Sequence, residues 1–413
     1  MNKLLKPSKY NAFLTVPSSK SYMQRAVALA VLSDGMSVLK NPDFSNDSSA
    51  ALKIAEDLGC EVFSSKPEVR IKPSGKILTD TVSVGEAGLG LRLFTPVCAL
   101  LSGNMTISGK GSLLKRPMTM MEKPMRELGA DISLSDGYVP IRIHGRLTGG
   151  NAEIDGSGSS QFLTGLLTAL PKAEKDSVLT VKNLKSVPYV QMTLDIIKKF
   201  GGEIENFDFQ TFKIKGGQKY KAAEYQVEGD WSSAAAHLVA GAVAGKAVVR
   251  GLNPESLQAD RAVLGVLRQV GADVRISENE IAVNKSGLKP FEFDATDSPD
   301  LFPVLAALGA NCGGESVIKG VSRLAHKESD RASAIKEEFF KLGIKVVLDG
   351  DFMRIGGGKI QGGAAVSSHN DHRMAFALAV MALNAEKEFE ISDAQAVAKS
   401  YPAFWEDFNG TEK

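Results

Sequence analysis

Apolar residues recur at helical spacing through most of this chain, and five of those stretches end alike: an apolar residue, a glycine, one further uncharged residue, a charge and a β-branched residue. The copies are Leu58-Gly59-Cys60-Glu61-Val62, Leu128-Gly129-Ala130-Asp131-Ile132, Phe200-Gly201-Gly202-Glu203-Ile204, Val270-Gly271-Ala272-Asp273-Val274 and Leu342-Gly343-Ile344-Lys345-Val346. Successive glycines stand 70, 72, 70 and 72 residues apart. Each copy reads as a helix stopped by a left-handed glycine before a strand, so the chain reads as about six copies of one α/β unit. A period that holds a whole helix and several strands is too long for a thin solenoid and predicts globular domains. Residues shared by the copies then belong to the scaffold, and polar departures between copies mark where chemistry is sought.

Residues 13–16 read as a strand and residues 23–32 as a helix. Between them, Pro17-Ser18-Ser19-Lys20-Ser21 sets hydroxyls and an ammonium at a helix N-terminus, where free N–H groups and the dipole favour an anion. Arg25, one turn beyond Ser21, faces the same way. The segment reads equally as an N-cap beside a solvated lysine. Similar openings recur. Gly85-Glu86-Ala87-Gly88-Leu89-Gly90 precedes an apolar helix carrying Arg92, Ser157-Gly158-Ser159-Ser160-Gln161 precedes the apolar run 162–170, Ser186-Val187-Pro188-Tyr189 precedes another helix, and Asp230-Trp231-Ser232-Ser233 opens a further one. One such opening is most often a cap, whereas several on a repeated unit can aim their N-termini into one cleft. Two later segments carry more charge than capping needs: His326-Lys327-Glu328-Ser329-Asp330-Arg331, and Asn370-Asp371-His372-Arg373-Met374 before the apolar run 375–383. Cations beside carboxylates at the edge of a buried element cost desolvation unless the charges pair or hold a ligand.

At 413 residues the chain has room for two or three domains. Its 49 Lys and Arg balance 48 Asp and Glu, so no global field recruits nucleic acid and an anion site must come from local clustering. The three cysteines, Cys60, Cys98 and Cys312, are unevenly spaced, and the last two sit among apolar residues, which points to reduced thiols and a cytosolic compartment. Residues 1–9 lack the apolar run of a signal peptide. The longest apolar segment, 234–249, is broken by His237 and Lys246 and reads as a buried helix and a following strand, so no membrane span is expected. His369 and His372 have no third ligand at metal-binding spacing, and no metal is expected. A phosphate-binding P-loop and a nucleophile elbow are both absent from the sequence.

Taken in order, Pro17-Ser18-Ser19-Lys20-Ser21 with Arg25, Gly85-Glu86-Ala87-Gly88 with Arg92, Arg116-Pro117, Ser159-Ser160-Gln161, Lys327-Glu328-Ser329-Asp330-Arg331, Asn370-Asp371-His372-Arg373 and Lys399 resemble the EPSP synthase (3-phosphoshikimate 1-carboxyvinyltransferase) family over nearly the whole chain. The two charged segments are the most specific and the glycine-rich turn the least. The resemblance implies an α/β fold of two similar domains, each of three βαβαββ units in an inside-out barrel. Residues 1–19 plus 229–413 would form a discontinuous domain and 20–228 an inserted one, with the active site in the cleft between them and hinges near 18–21 and 227–230.

By that resemblance the enolpyruvyl group of phosphoenolpyruvate is transferred to the 5-hydroxyl of shikimate 3-phosphate. Lys20, Gly88, Arg116, Gln161, Arg331, Arg373 and Lys399 match positions that hold phosphoenolpyruvate, whose carboxylate and phosphate need directional cations. Ser21, Arg25, Ser159, Ser160, Gln161, Ser186, Tyr189, Asp300 and Lys327 match those that hold shikimate 3-phosphate. Arg323 departs from the family pattern, standing where an Asn contact to that phosphate is frequent, and is long enough to reach a phosphate. Asp300 is assigned as the base at the hydroxyl, Glu328 as the acid at the methylene, and Lys20 as a second proton-transfer group at the phosphate end. Gly88 corresponds to a glycine lining a pocket that also takes glyphosate. The family needs no metal or other cofactor, and a cytoplasmic monomer with small-molecule substrates, and no nucleic-acid or membrane partner, is expected.

Some positions depart from the family pattern. Glu86 and Leu89 stand where Asn and Thr are common, and Ala325 replaces a frequent Arg. Two other readings stay open. A related enolpyruvyl transferase acts on UDP-N-acetylglucosamine and carries a reactive Cys before an Arg-Pro pair, but here Gly109-Lys110-Gly111-Ser112-Leu113-Leu114-Lys115-Arg116-Pro117 has none. A non-catalytic anion-binding relative would keep the arginines without needing Asp300 and Glu328.

Overall fold

The computed structural model describes residues 1–278 and 280–410. Its helices run, in chain order, α1 (Lys20–Leu32), α2 (Asn46–Asp57), α3 (Gly88–Leu101), α4 (Glu122–Glu127), α5 (Gln161–Ala169), α6 (Val187–Lys199), α7 (Trp231–Ala244), α8 (Val263–Gln269), α9 (Phe302–Ala310), α10 (Arg331–Lys341), α11 (His372–Leu383) and α12 (Phe404–Asn409). The repeated glycines end α2, α4, α6, α8 and α10: Gly59, Gly129, Gly201, Gly271 and Gly343 have φ of +88°, +97°, +80°, +89° and +85°. In every copy the glycine N–H bonds back to the carbonyl three residues earlier, closing the last turn where a side chain would be strained.

The strands follow one plan. In the sheet ordered Thr81–Ser83, Asn104–Ser108, Tyr138–His144, Asp131–Ser135, the first pair is parallel and the next two are antiparallel. Helix α3 joins the parallel pair and α4 leads to the hairpin, which makes one βαβαββ unit. Among the described residues, five four-stranded sheets share this order. In a sixth, Ala365–Ser367 and Phe389–Ser392 pair in parallel and Lys3–Leu5, from the start of the chain, joins antiparallel. This last repeat has no glycine stop because the N-terminal strand stands where a hairpin would follow.

The chain divides into two compact units, Ser18–Glu228 and Met1–Pro17 with Gly229–Lys413, each built from three repeats with its own core. In the inserted unit α1, α3 and α5 pack together and are buried nearly all round. In the discontinuous unit α7, α9 and α11 do the same. A helix apolar on every face is stable only when surrounded. The strands alternate buried and exposed positions and so form a shell with one wet face. The fold is therefore α/β with helices inside and sheets outside.

Helix starts differ from the sequence expectation. Helix α1 begins at Lys20 rather than 23, α3 takes in Gly88 from the glycine-rich turn, and α11 begins at His372 rather than 375. Apolar periodicity does not register a polar first turn, and these first turns are polar or glycine. Lys20, Ser21, Gly88, Gln161 and Arg373 thus sit on the first turns of central helices, while Ser159, Ser160, Asp300, Lys327 and Glu328 stay in the segments before helices.

Candidate functional site

In the inserted unit, the amino-terminal ends of α1, α3 and α5 are linked by side chains. Lys20, the first residue of α1, places Nζ 2.9 Å from Asp47 Oδ2 on α2, with both side chains largely buried. Arg25, a turn later, is 1% exposed. It donates to Ser21 O at 2.8 Å, Thr193 Oγ1 at 2.9 Å, Tyr189 O at 3.3 Å and Thr164 Oγ1 at 3.4 Å, tying α1 to α5 and α6. Burial lowers its guanidinium to about 10, which leaves it charged at neutral pH.

Gly88 opens α3 with two buried guanidinium groups against it. A Cβ there would lie 2.5 Å from Arg116 Nη1 and 3.2 Å from Arg92 Nη1. Arg92 Nη1 also donates to Gln161 Oε1 at 3.0 Å, joining α3 to the start of α5. Gln161 N–H donates to Ser159 Oγ at 3.2 Å. Ser160 and Ser186 are buried at the N-caps of α5 and α6, and Ser186 adopts φ +59°. Among the described residues, none of the N-cap residues of α1, α3, α5 and α6 makes a side-chain capping hydrogen bond. The N-cap reading of the Ser18-Ser19 segment thus does not hold: Ser19 Oγ is buried and makes no hydrogen bond among the described residues.

The discontinuous unit is built differently. Carboxylates cap α7, α10 and α11, though not α8 or α9: Asp230 accepts from Ser233 N at 2.6 Å, Asp330 from Ser333 N at 3.3 Å and Asp371 from Arg373 N at 2.9 Å. Arg331, 1% exposed at the start of α10, is the hub. Its Nε lies 2.9 Å from Asp371 Oδ2, Nη1 2.8 Å from Asp300 Oδ1 and Nη2 2.8 Å from Glu328 Oε2. Arg373, at 3% exposure, places Nη2 3.5 Å from Asp300 Oδ2, while its Nε and Nη1 have no acceptor among the described residues. Lys399 Nζ donates to Asn370 O at 2.7 Å, and Arg323 Nε to Thr296 O at 3.4 Å.

Electrostatics follow from this packing. Burial opposes ionisation of Asp300, yet Arg331, Arg373 and Lys327 outweigh it and hold the carboxyl far below its ordinary range. Lys327 is pushed down to about 8 by burial, with Arg331 and Arg323 adding to the shift and Asp300 opposing it. Asp260, fully buried and bonded by the Ser232 hydroxyl, is raised to about 7 by burial and then by Asp300, against Arg373.

The sequence-predicted residues therefore gather into two groups. Lys20, Ser21, Arg25, Gly88, Arg116, Ser159, Ser160, Gln161, Ser186 and Tyr189 lie in the inserted unit. Asp300, Arg323, Lys327, Glu328, Arg331, Arg373 and Lys399 lie in the discontinuous one. Residue reasoning did not single out Asp47, Asp260 or the central place of Asp371. Asp47 had a faint signal, an acid in the first turn of α2; Asp371 shares a segment with Arg373. Glu337 and Glu338 also bring ligand atoms within 4.8 Å of His369, partners the spacing did not reveal. Lys341 supplies the positive charge there, 2.8 Å from Glu337 and 3.0 Å from Glu338. The thiols of Cys60, Cys98 and Cys312 are free and buried, and burial pushes them up to about 11, 12 and 11. Among the described residues no helix is long and apolar enough to cross a membrane.

Comparison with known proteins places the chain in a family. The family model for EPSP synthase (3-phosphoshikimate 1-carboxyvinyltransferase) matches residues 4–408. A 3-phosphoshikimate 1-carboxyvinyltransferase of Clostridium novyi is 35% identical, with 97% of this chain and 95% of that protein aligned. One from Clostridium acetobutylicum is 37% identical over 95% of this chain and 93% of its own length. Among solved structures, an EPSP synthase from Acinetobacter baumannii superposes with a TM-score of 0.82 at 26% identity, covering 99% of this chain and 98% of that one. The chain belongs to the EPSP synthase (3-phosphoshikimate 1-carboxyvinyltransferase) family.

Proposed function

We propose that the two groups of residues act together on the family's reaction. In that reaction the enolpyruvyl group of phosphoenolpyruvate passes to the 5-hydroxyl of shikimate 3-phosphate, releasing phosphate and forming 5-enolpyruvylshikimate 3-phosphate. The observation that carries this division of labour is the contrast between helix ends. Those of α1, α3 and α5 are uncapped and backed by Lys20, Arg25, Arg92 and Arg116, which suits phosphate groups. The discontinuous unit offers carboxylates held on arginine, which suits proton transfer.

In this reading Ser21, Arg25, Ser159, Ser160, Gln161, Ser186 and Tyr189 receive shikimate 3-phosphate, with Asp300, Arg323 and Lys327 completing its site. Lys20, Gly88, Arg116, Gln161, Arg331, Arg373 and Lys399 receive phosphoenolpyruvate. The 5-hydroxyl oxygen attacks C2, its proton passes to Asp300, and Glu328 delivers a proton to C3. As phosphate leaves the tetrahedral intermediate, C3 returns its proton and the double bond reforms, with Lys20 as the proton-transfer group at the phosphate. The cations that keep Asp300 ionised also make it a weak base. A carboxylate or phosphate drawing on Arg331 and Arg373 restores its basicity, so substrate binding itself primes the site. The same competition for Arg331 frees Glu328.

The loop before Arg116 is a short 3-10 turn, Gly111–Lys115, without a thiol, which speaks against the UDP-N-acetylglucosamine reading. Asp300 and Glu328 both on Arg331 speak against a non-catalytic relative. In this reading the protein is a cytoplasmic monomer that works without metal or cofactor. The test is phosphate release from phosphoenolpyruvate with shikimate 3-phosphate, run beside UDP-N-acetylglucosamine and repeated after chelation. Release with the first acceptor only, unchanged by chelator, is expected; release with the second, or with neither, overturns the reading.

A further inference from the structure

One buried acid has no part in the scheme above. Glu338 lies two turns beyond Arg331 on α10 and is fully buried. Its Oε1 accepts from His369 Nε2 at 2.7 Å, its Oε2 accepts the Ser367 N–H at 3.0 Å, and Lys341 Nζ stands 3.0 and 3.1 Å from the two oxygens. A carboxylate this deep is tolerated only when its lone pairs are used. Two of its partners come from the segment leading into α11. There His369 and Asn370 both adopt φ +53°, a left-handed conformation that non-glycine residues keep only where the surroundings enforce it. Directly beyond the ring, Asn370 O receives Lys399 Nζ, Asp371 receives Arg331 Nε, and Arg373 follows.

We infer that Glu338 and His369 are a positioning pair for Lys399 and Arg373: their hydrogen bond holds the left-handed turn, and the turn sets where the ammonium and the guanidinium stand toward an anionic substrate. The inference rests on the preceding assignment of Lys399 and Arg373 to phosphoenolpyruvate. The hydrogen bond to Glu338 raises His369 above its ordinary range against burial, with the charges of Glu338 and Glu337 adding and that of Lys341 opposing. A histidine raised in this way stabilises fully below its ordinary value, and the contribution fades as pH climbs through the raised one. The turn is therefore firmest on the acid side.

The test compares the full chain with His369→Ala and with His369→Gln, whose amide N–H restores a donor to Glu338 without a titrating ring. His369→Ala is expected to raise the KM for phosphoenolpyruvate about tenfold, the worth of one weakened charge-assisted hydrogen bond, and to leave the KM for shikimate 3-phosphate within about twofold. His369→Gln recovers most of the loss and lacks the rise of that KM with pH, while limbs from Lys327 and Asp260 persist in all three proteins. Hydrogen exchange over residues 366–374 speeds in His369→Ala and slows again in His369→Gln. Unchanged exchange, a KM for phosphoenolpyruvate within about twofold, or parallel losses for both substrates overturn the pair. If the unaltered protein releases no phosphate, the assignment of function fails, and the exchange comparison still decides whether the pair holds the turn.

Discussion

At the scale of single residues, Arg331 and its three carboxylates separate roles that similar side chains might share. Asp371 is fully buried and caps α11, whereas the Asp300 and Glu328 side chains keep 27% and 16% exposure. Asp300→Asn and Glu328→Gln keep much of the shape and remove the transferable proton, so turnover should fall ~10²–10⁴-fold. Shikimate 3-phosphate binding, followed by calorimetry, should weaken far less; near-normal turnover in either variant removes that residue from the mechanism. Asp260 works in the other direction. Its proton is held up to about pH 7, so between the ordinary carboxylate range and that value the folded state binds more protons than the unfolded one, and stability falls as pH rises. Asp260→Asn should therefore melt progressively higher than the unaltered protein from about pH 4 to about pH 7, and a constant difference across that window contradicts the assignment.

At the scale of elements, the repeat places equivalent helix ends together within each unit, and at α7 and α11, though not at α9, the discontinuous unit caps them where the inserted unit does not. Carboxylate caps at Asp230, Asp330 and Asp371 neutralise the dipole where carboxylates are needed. The ends of α1, α3 and α5 stay uncapped where phosphate is expected. Gly88 is the sharpest case, since a methyl group there meets Arg116 Nη1 at 2.5 Å. Gly88→Ala must displace that guanidinium, and the KM for phosphoenolpyruvate should rise while that for shikimate 3-phosphate holds. Glyphosate inhibition provides the comparison: an inhibition constant raised at least as much as that KM is expected, and an unchanged KM shows that Arg116 does not serve phosphoenolpyruvate.

At the scale of the whole molecule, the chain passes between its units at Pro17–Ser18 and at Glu228–Gly229, with Lys20 two residues from one crossing and Asp230 beside the other. If one substrate pair needs both groups of residues, as proposed, binding a dianionic ester should make the chain more compact. Small-angle scattering should show a smaller radius of gyration with saturating shikimate 3-phosphate. An unchanged radius contradicts the two-sided site.

Much of this was legible from residues alone. The five glycine stops have φ near +90° because no other residue closes a helix into a strand at so little strain, so the α/β repeat appears directly in the sequence. The charged segments around Arg331 and Arg373 stand out because buried charge needs a reason. Helix starts were misplaced because a polar first turn carries no apolar period. The partners of each charge depended on tertiary structure: Lys20 with Asp47, Arg331 with Asp300 and Asp371, and His369 with Glu338 join residues far apart in the chain. Local sequence dictates hydrogen bonds a few residues long and the periodicity of a face. Which distant carboxylate meets which cation is decided only when the repeats close around their central helices.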